Sequence, residues 1–174
     1  MNYKIALIGM MGSGKTSTSK ELSTVLNCPL FDCDKIFEET YNIKITDYFR
    51  QYGEEKFRIC ENIILNKIIK NDNFIISTGG GIILNKENRD ILFKKDIVTF
   101  YLNSNSKTIY SRIKNEKNRP LLLVLDPEIQ IQKLIKEREK YYKLANYEID
   151  NNNKTIKSTV EEIIEKYEKN RNNK

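Results

Sequence analysis

The chain has 174 residues, 39% hydrophobic and 31% charged, with a net charge of +6 at pH 7, a balance that fits one soluble globular domain and excludes a mostly disordered chain. It has no histidine, so mechanisms that need an imidazole base or ligand are excluded, and its three cysteines, Cys28, Cys33 and Cys60, lack the spacing of a disulfide framework or a zinc site. Lys and Arg are interleaved with Asp and Glu, which suits anionic ligands without marking a nucleic-acid surface. In chain order, residues 3–8 (YKIALI) read as a strand, and the segment after a glycine-rich loop reads as a helix carrying Leu22, Val25 and Leu26. Residues 29–32 give a second short strand, and 35–70 read as helices punctuated at Gly53, with an apolar stripe at Ile59, Ile63, Ile64 and Ile68. Strands follow at 73–77 and 97–102, with helices at 86–93 and 106–113. A long helix begins at Pro127 and runs to about Leu144, then come a last strand at 147–149 and a last helix at 158–167. Strands alternating with helices predict a parallel sheet covered on both faces, an α/β domain. No run reaches membrane-spanning length and the start lacks a cleavage pattern, so a cytoplasmic protein is expected.

Two clusters hold six of the seven glycines. The first, GMMGSGKT at residues 9–16, fits G-x-x-x-x-G-K-[ST] between a strand and a helix, the context that phosphate binding requires. Gly9, Gly12 and Gly14 let successive N–H groups face phosphate oxygens, and the helix adds its positive end. Lys15 supplies a cation for the outer phosphates, and Thr16 a hydroxyl for magnesium. The second cluster, Gly79, Gly80 and Gly81, follows a strand at the rim where open α/β sheets bind ligands. A turn needing positive φ explains one glycine there better than three.

Asp32 and Asp34 follow the second strand. Two apart in an extended segment, they would point the same way, one holding magnesium through water and the other meeting an acceptor hydroxyl; Asp34 also fits as a plain helix cap. Arg58 and Glu61 have the spacing at which a carboxylate orients a guanidinium, which is also that of an ordinary surface pair. Arg138, in KEREKYY, also fits a solvated helix face.

Taken in order, GMMGSGKT, DCDK (32–35), GEEKFR (53–58), STGGG (77–81), NRPLL (118–122) and the helix bearing Arg138 resemble shikimate kinases over residues 3–150. The resemblance implies a three-layer α/β/α P-loop kinase of the nucleoside-monophosphate kinase type, with a five-stranded parallel sheet of order 2-3-1-4-5 and a mobile lid. It implies a single domain over 1–168, substrate-binding helices over about 34–61, a lid over about 114–124, and a disordered tail at 169–174. The implied reaction is transfer of the γ-phosphate of ATP, with Mg2+, to the 3-hydroxyl of shikimate. By resemblance Asp34, Lys15 and Arg119 are catalytic, and Gly12, Ser13, Gly14, Lys15, Thr16, Ser17, Arg112 and Arg119 bind nucleotide. Asp34, Arg58, Arg138, Gly79, Gly80, Gly81, Phe49 and Phe57 face shikimate, and the metal falls to Thr16 and, through water, Asp32. Arg119 matches the lid arginine, though Arg119-Pro120 also fits a helix end. The later loop, DNNNK at 150–154, lacks the proline or arginine often found in the family's adenine pocket, leaving the base to Arg112 and backbone groups. A monomer acting on ATP and shikimate, with no nucleic-acid or membrane partner, is expected. A kinase of the same fold acting on gluconate or a nucleotide is the nearest alternative, and a nucleotide-dependent switch the more distant one.

Overall fold

The structure, a computed structural model, describes residues 2–115 and 124–172. Its elements are β1 (Lys4–Ile8), α1 (Lys15–Leu26), β2 (Leu30–Asp32), α2 (Cys33–Tyr41), α3 (Ile45–Ile68), β3 (Phe74–Ser77), a 3₁₀ turn (Ile82–Leu84), α4 (Lys86–Leu92), β4 (Val98–Asn103), α5 (Ser106–Ile113), α6 (Pro127–Tyr142), β5 (Tyr147–Asp150) and α7 (Ile156–Asn172). The strands form one sheet of order β2-β3-β1-β4-β5 with every pairing parallel, as expected.

β1, β3 and β4 are nearly continuous apolar runs because helices cover the sheet on both sides. Alternation along β1 sends Ile5 and Leu7 toward Leu22 of α1 and Val160 and Ile163 of α7, and sends Ala6 and Ile8 toward Phe37, Phe57, Ile64 and Leu65 of α2 and α3. A smaller cluster of Met10, Ile109, Ile113 and Ile131 ties the loop after β1 to α5 and α6. The C-terminal ends of β1, β2 and β3 therefore open onto one rim, where the glycine clusters and aspartates sit.

Three local readings differ from the sequence expectation. β2 ends at Asp32, which caps α2 by accepting from the Lys35 N–H at 3.2 Å, so Asp34 lies in the helix's first turn and the extended-strand argument for the pair fails. The buried face of α3 carries Phe57, Cys60, Glu61, Ile64, Leu65 and Ile68, whereas Ile59 and Ile63 face solvent. α3 also bends at Gly53, whose φ of 81° a residue with a Cβ rarely adopts. Finally, α7 runs on to Asn172 in place of a disordered tail from residue 169. Tyr167 is buried, Lys169 pairs with Glu165 one turn back at 2.5 Å, and Asn170 donates to the Tyr147 hydroxyl at 3.2 Å, so polar contacts extend the helix where apolar anchors run out.

Candidate active site

The loop between β1 and α1 turns through Gly9, Gly12 and Gly14, all at positive φ, and Gly14 caps α1 in the left-handed region at φ 95°. Lys15 is buried and curls back over the loop, its Nζ donating to the Gly9 and Met10 carbonyls at 2.8 and 2.9 Å. Thr16 and Ser17 are exposed on the first turn of α1. With Gly12, Gly14 and Lys15 they line a cleft of about 560 Å³ that also takes in Asp34, Thr78, Gly80 and Arg112. Ser13 stands behind the loop: it is fully buried, and its N–H is given to the Met10 carbonyl at 3.1 Å. Arg112 reaches from α5 and donates to the Asn151 carbonyl at 2.7 Å. The cleft thus offers a helix N-terminus, an ammonium group and exposed hydroxyls, the donor set of a polyphosphate site. At the position after β3 where many nucleotide hydrolases carry an acid, Thr78 is buried and its hydroxyl donates to the Leu7 carbonyl at 2.8 Å.

A second cluster adjoins this cleft and shares Asp34 and Gly80 with it. None of Gly79, Gly80 and Gly81 has positive φ; at each a Cβ would crowd a neighbour as these side chains now stand. At Gly79 it would meet Asp34 Oδ1 at 2.7 Å and Glu61 Oε1 at 2.8 Å, at Gly80 the Met11 N at 3.0 Å, and at Gly81 it would overlap the Arg58 guanidinium. Arg58 donates through Nη1 to Glu61 and through Nη2 to Glu54, both at 2.5 Å, and lies over the rings of Phe57 and Phe49 at 5.2 and 5.9 Å. Phe49 and Phe57 themselves pack at 4.7 Å; Phe57 belongs to the core, and the half-buried Phe49 is the more accessible wall. From α6, the Tyr142 hydroxyl donates to the Gly80 carbonyl at 2.5 Å, and Arg138 Nη1 contacts Met10 Sδ at 3.8 Å. Arg58 therefore reaches the triple-glycine turn directly, and Arg138 stands beside Met10 and Tyr142, whose hydroxyl holds the Gly80 carbonyl.

The electrostatics follow from burial. The Tyr142 phenol is pushed up to about 12 by burial, with Arg138 and then Arg58 offsetting part of that rise. Burial opposes the charge on Arg58, but Glu61 and Glu54 outweigh it and hold the guanidinium above its ordinary range. Glu61, 2% exposed, is raised from 4.5 to about 7, chiefly by burial; Arg58 pulls it down while Asp34 and Glu54 push it up. Among the described residues its Oε1 has no hydrogen-bond partner. A carboxyl whose folded pKa lies above its unfolded one contributes stability at low pH that is lost as pH rises between the two values, here from about 4.5 to about 7. Glu61→Gln should therefore gain stability relative to the parent as pH rises through that window, read as the difference between the two melting temperatures at each pH.

The shikimate kinase family model matches residues 11–168. The chain belongs to the shikimate kinase family. The shikimate kinase of Caldanaerobacter subterraneus subsp. tengcongensis is 39% identical over 163 residues, covering 94% of this chain and 95% of that one. That of Thermodesulfovibrio yellowstonii is 38% identical and covers 98% of each. Among solved structures, shikimate kinase from Acinetobacter baumannii in complex with shikimate superposes with a TM-score of 0.92 at 30% identity, covering 98% of this chain and 95% of that one. Deoxyadenosine kinase from M. mycoides with bound dATP, at 23% identity and a TM-score of 0.63, covers 96% of this chain and 100% of that one and shares the fold alone.

Arg119 and most of the lid expected at about 114–124 lie outside the described residues. Sequence reasoning missed Tyr142, Met10, Glu54 and Asn151. Tyr142 had a usable signal, since it sits four residues after Arg138 and so shares its helix face; Asn151, inside a run of asparagines, had none.

Proposed function

We propose that this shikimate kinase family protein transfers the γ-phosphoryl group of ATP to the 3-hydroxyl of shikimate, giving shikimate 3-phosphate and ADP. The observation that carries this reading is the contiguity of two sites: the polyphosphate cleft and the arginine-lined cluster share Asp34 and Gly80.

In this reading Gly12, Gly14, Lys15, Thr16 and Ser17 hold the phosphates from α1, Ser13 braces the loop, and Arg112 stacks on the base. Arg58 and Arg138, whose charges both bear on the Tyr142 phenol, take the shikimate carboxylate, since a pair of guanidiniums suits a single carboxylic acid better than a neutral sugar chain. The turn of Gly79 to Gly81 lets the ring approach bare backbone, with Phe49 against its carbon face and Phe57 behind. Asp34 accepts a hydrogen bond from the 3-hydroxyl and holds its oxygen in line with the γ-phosphorus. As the new O–P bond forms, the bond to ADP breaks and the hydroxyl proton departs on the Asp34 side. Lys15 swings from the Gly9 and Met10 carbonyls to the transferring group, where fixed positive charge contributes most to phosphoryl transfer. Arg119, from the lid, adds to that charge and helps exclude water.

The oxygen donors present fit magnesium, which takes few protein ligands and keeps several waters. Thr16 offers an exposed hydroxyl in the cleft, and Asp32, half-buried at the strand end, acts through water. When bound, the ion neutralises charge shared by the β- and γ-phosphates. The protein acts as a monomer in the cytoplasm without nucleic-acid or membrane partners; among the described residues no helix is long and apolar enough to cross a membrane.

Phosphorus NMR of the reaction with ATP, magnesium and shikimate tests the proposal. One new phosphomonoester signal, coupled to the proton on carbon 3 and growing in step with ADP, is expected. Inorganic phosphate as the sole product beside ADP would overturn it.

A further inference from the structure

The geometry points to Asn151 as a positioning residue for nucleotide binding, one that aims the P-loop from behind. This rests on reading the cleft as the ATP site. Asn151 follows β5, is 5% exposed, and touches three elements at once. Its Nδ2 donates to the Ser13 carbonyl at 2.7 Å, and its Oδ1 accepts from the Thr159 hydroxyl of α7 at 2.7 Å. Its backbone carbonyl accepts from Arg112 Nη2 at 2.7 Å, and its N–H continues the sheet by donating to the Asn103 carbonyl at 2.7 Å. The amide orientation is forced, because a carbonyl can only accept; Nδ2 must face Ser13, which leaves Oδ1 for Thr159.

The contact matters because a trans peptide is planar, with C=O and N–H pointing in opposite directions. Pinning the Ser13 carbonyl to Asn151 therefore turns the Gly14 N–H the other way, and Gly14 lines the cleft. Gly14 is also where a Cβ would meet Asn151 Nδ2 at 2.9 Å, so the glycine and the asparagine are fitted to each other. Thr159, fully buried, has one hydroxyl proton within reach of both Asn151 Oδ1 and the Thr155 carbonyl, and the shorter contact, 2.7 Å against 3.0 Å, is the one to Asn151. The last helix thereby reaches the phosphate loop through one side chain, and the same residue anchors Arg112 at the base end of the cleft.

Asn151→Ala removes the donor, and Asn151→Asp replaces it with a carboxylate oxygen that repels the Ser13 carbonyl. Isothermal titration calorimetry with MgADP and, separately, with shikimate reads the outcome. Asn151→Ala should weaken MgADP by roughly five- to fiftyfold, the range expected when a buried acceptor loses its partner, while shikimate affinity stays at the parent value. Asn151→Asp should lose at least as much. Thr159→Val, which leaves Asn151 in place but unlocked, should lose less in the same direction, and it decides the matter by the same two titrations if the Asn151 variants do not fold. Unchanged MgADP affinity, or equal loss for both ligands, would overturn the inference. A parent protein that fails to bind MgADP would overturn the reading of the cleft itself.

Discussion

Asp34→Asn is expected to lower kcat by roughly 10²- to 10⁴-fold, the range for a positioned proton acceptor, with MgADP affinity retained. Asp34 lies in the first turn of α2, exposed at the rim, with its Oδ1 2.7 Å from where a Cβ on Gly79 would stand. Asparagine keeps the shape and the hydrogen-bonding capacity of one oxygen but removes the negative charge that draws the hydroxyl proton. Asp32 should not substitute for it, because its Oδ1 is engaged as the cap of α2 and Asp34 stands beyond the strand end. Steady-state turnover with both substrates saturating measures the effect. Near-normal kcat would remove Asp34 from the acceptor side.

Arg58→Ala and Arg138→Ala are each expected to raise KM for shikimate by roughly 30- to 1000-fold, or about 2–4 kcal/mol, with little change in KM for ATP. The cost is large because a carboxylate moved out of water beside the triple-glycine turn would be left short of a partner. The two substitutions should differ in a second respect. Removing Arg58 also strands Glu61, whose side chain is 2% exposed and rests on Arg58 Nη1 at 2.5 Å, so that variant should lose stability as well. Arg138 contacts Met10 Sδ and the Tyr142 hydroxyl, neither of them an ionised partner, so its loss should fall on shikimate with little effect on melting temperature. Initial-rate kinetics with each substrate varied, plus a melting curve, separates these effects. Equal rises in KM for both substrates would contradict the assignment.

Most of the sheet was legible because buried parallel strands read as unbroken apolar runs, and the strand-loop-helix context of GMMGSGKT left little freedom for the phosphate end. The order of the strands came with the family resemblance rather than from periodicity. What stayed hidden turned on contacts distant in sequence. Nothing local says that α2 starts at Cys33 with Asp32 as its cap rather than after Asp34, because either aspartate fits the cap position. Ile59 and Ile63 look like core by hydrophobicity, yet the helix phase set by Phe57, Ile64 and Ile68 turns them outward. The triple glycine was legible as a place where side chains are excluded. Its cause is steric rather than conformational, and it depends on Asp34, Glu61 and Arg58 arriving from two other helices. Asn151 was invisible for the same reason, since its partners Ser13, Arg112 and Thr159 meet only in the folded chain.

The central claim is that the cluster beside the phosphate cleft is built for a hydroxylated ring bearing a carboxylate. Release of ADP from MgATP, followed over a panel of shikimate, quinate, gluconate and AMP at equal concentrations, tests it most directly. The account predicts rapid ADP release with shikimate, dependent on Arg58 and Arg138, and rates near background with gluconate and AMP. Faster release with gluconate or AMP than with shikimate would contradict it.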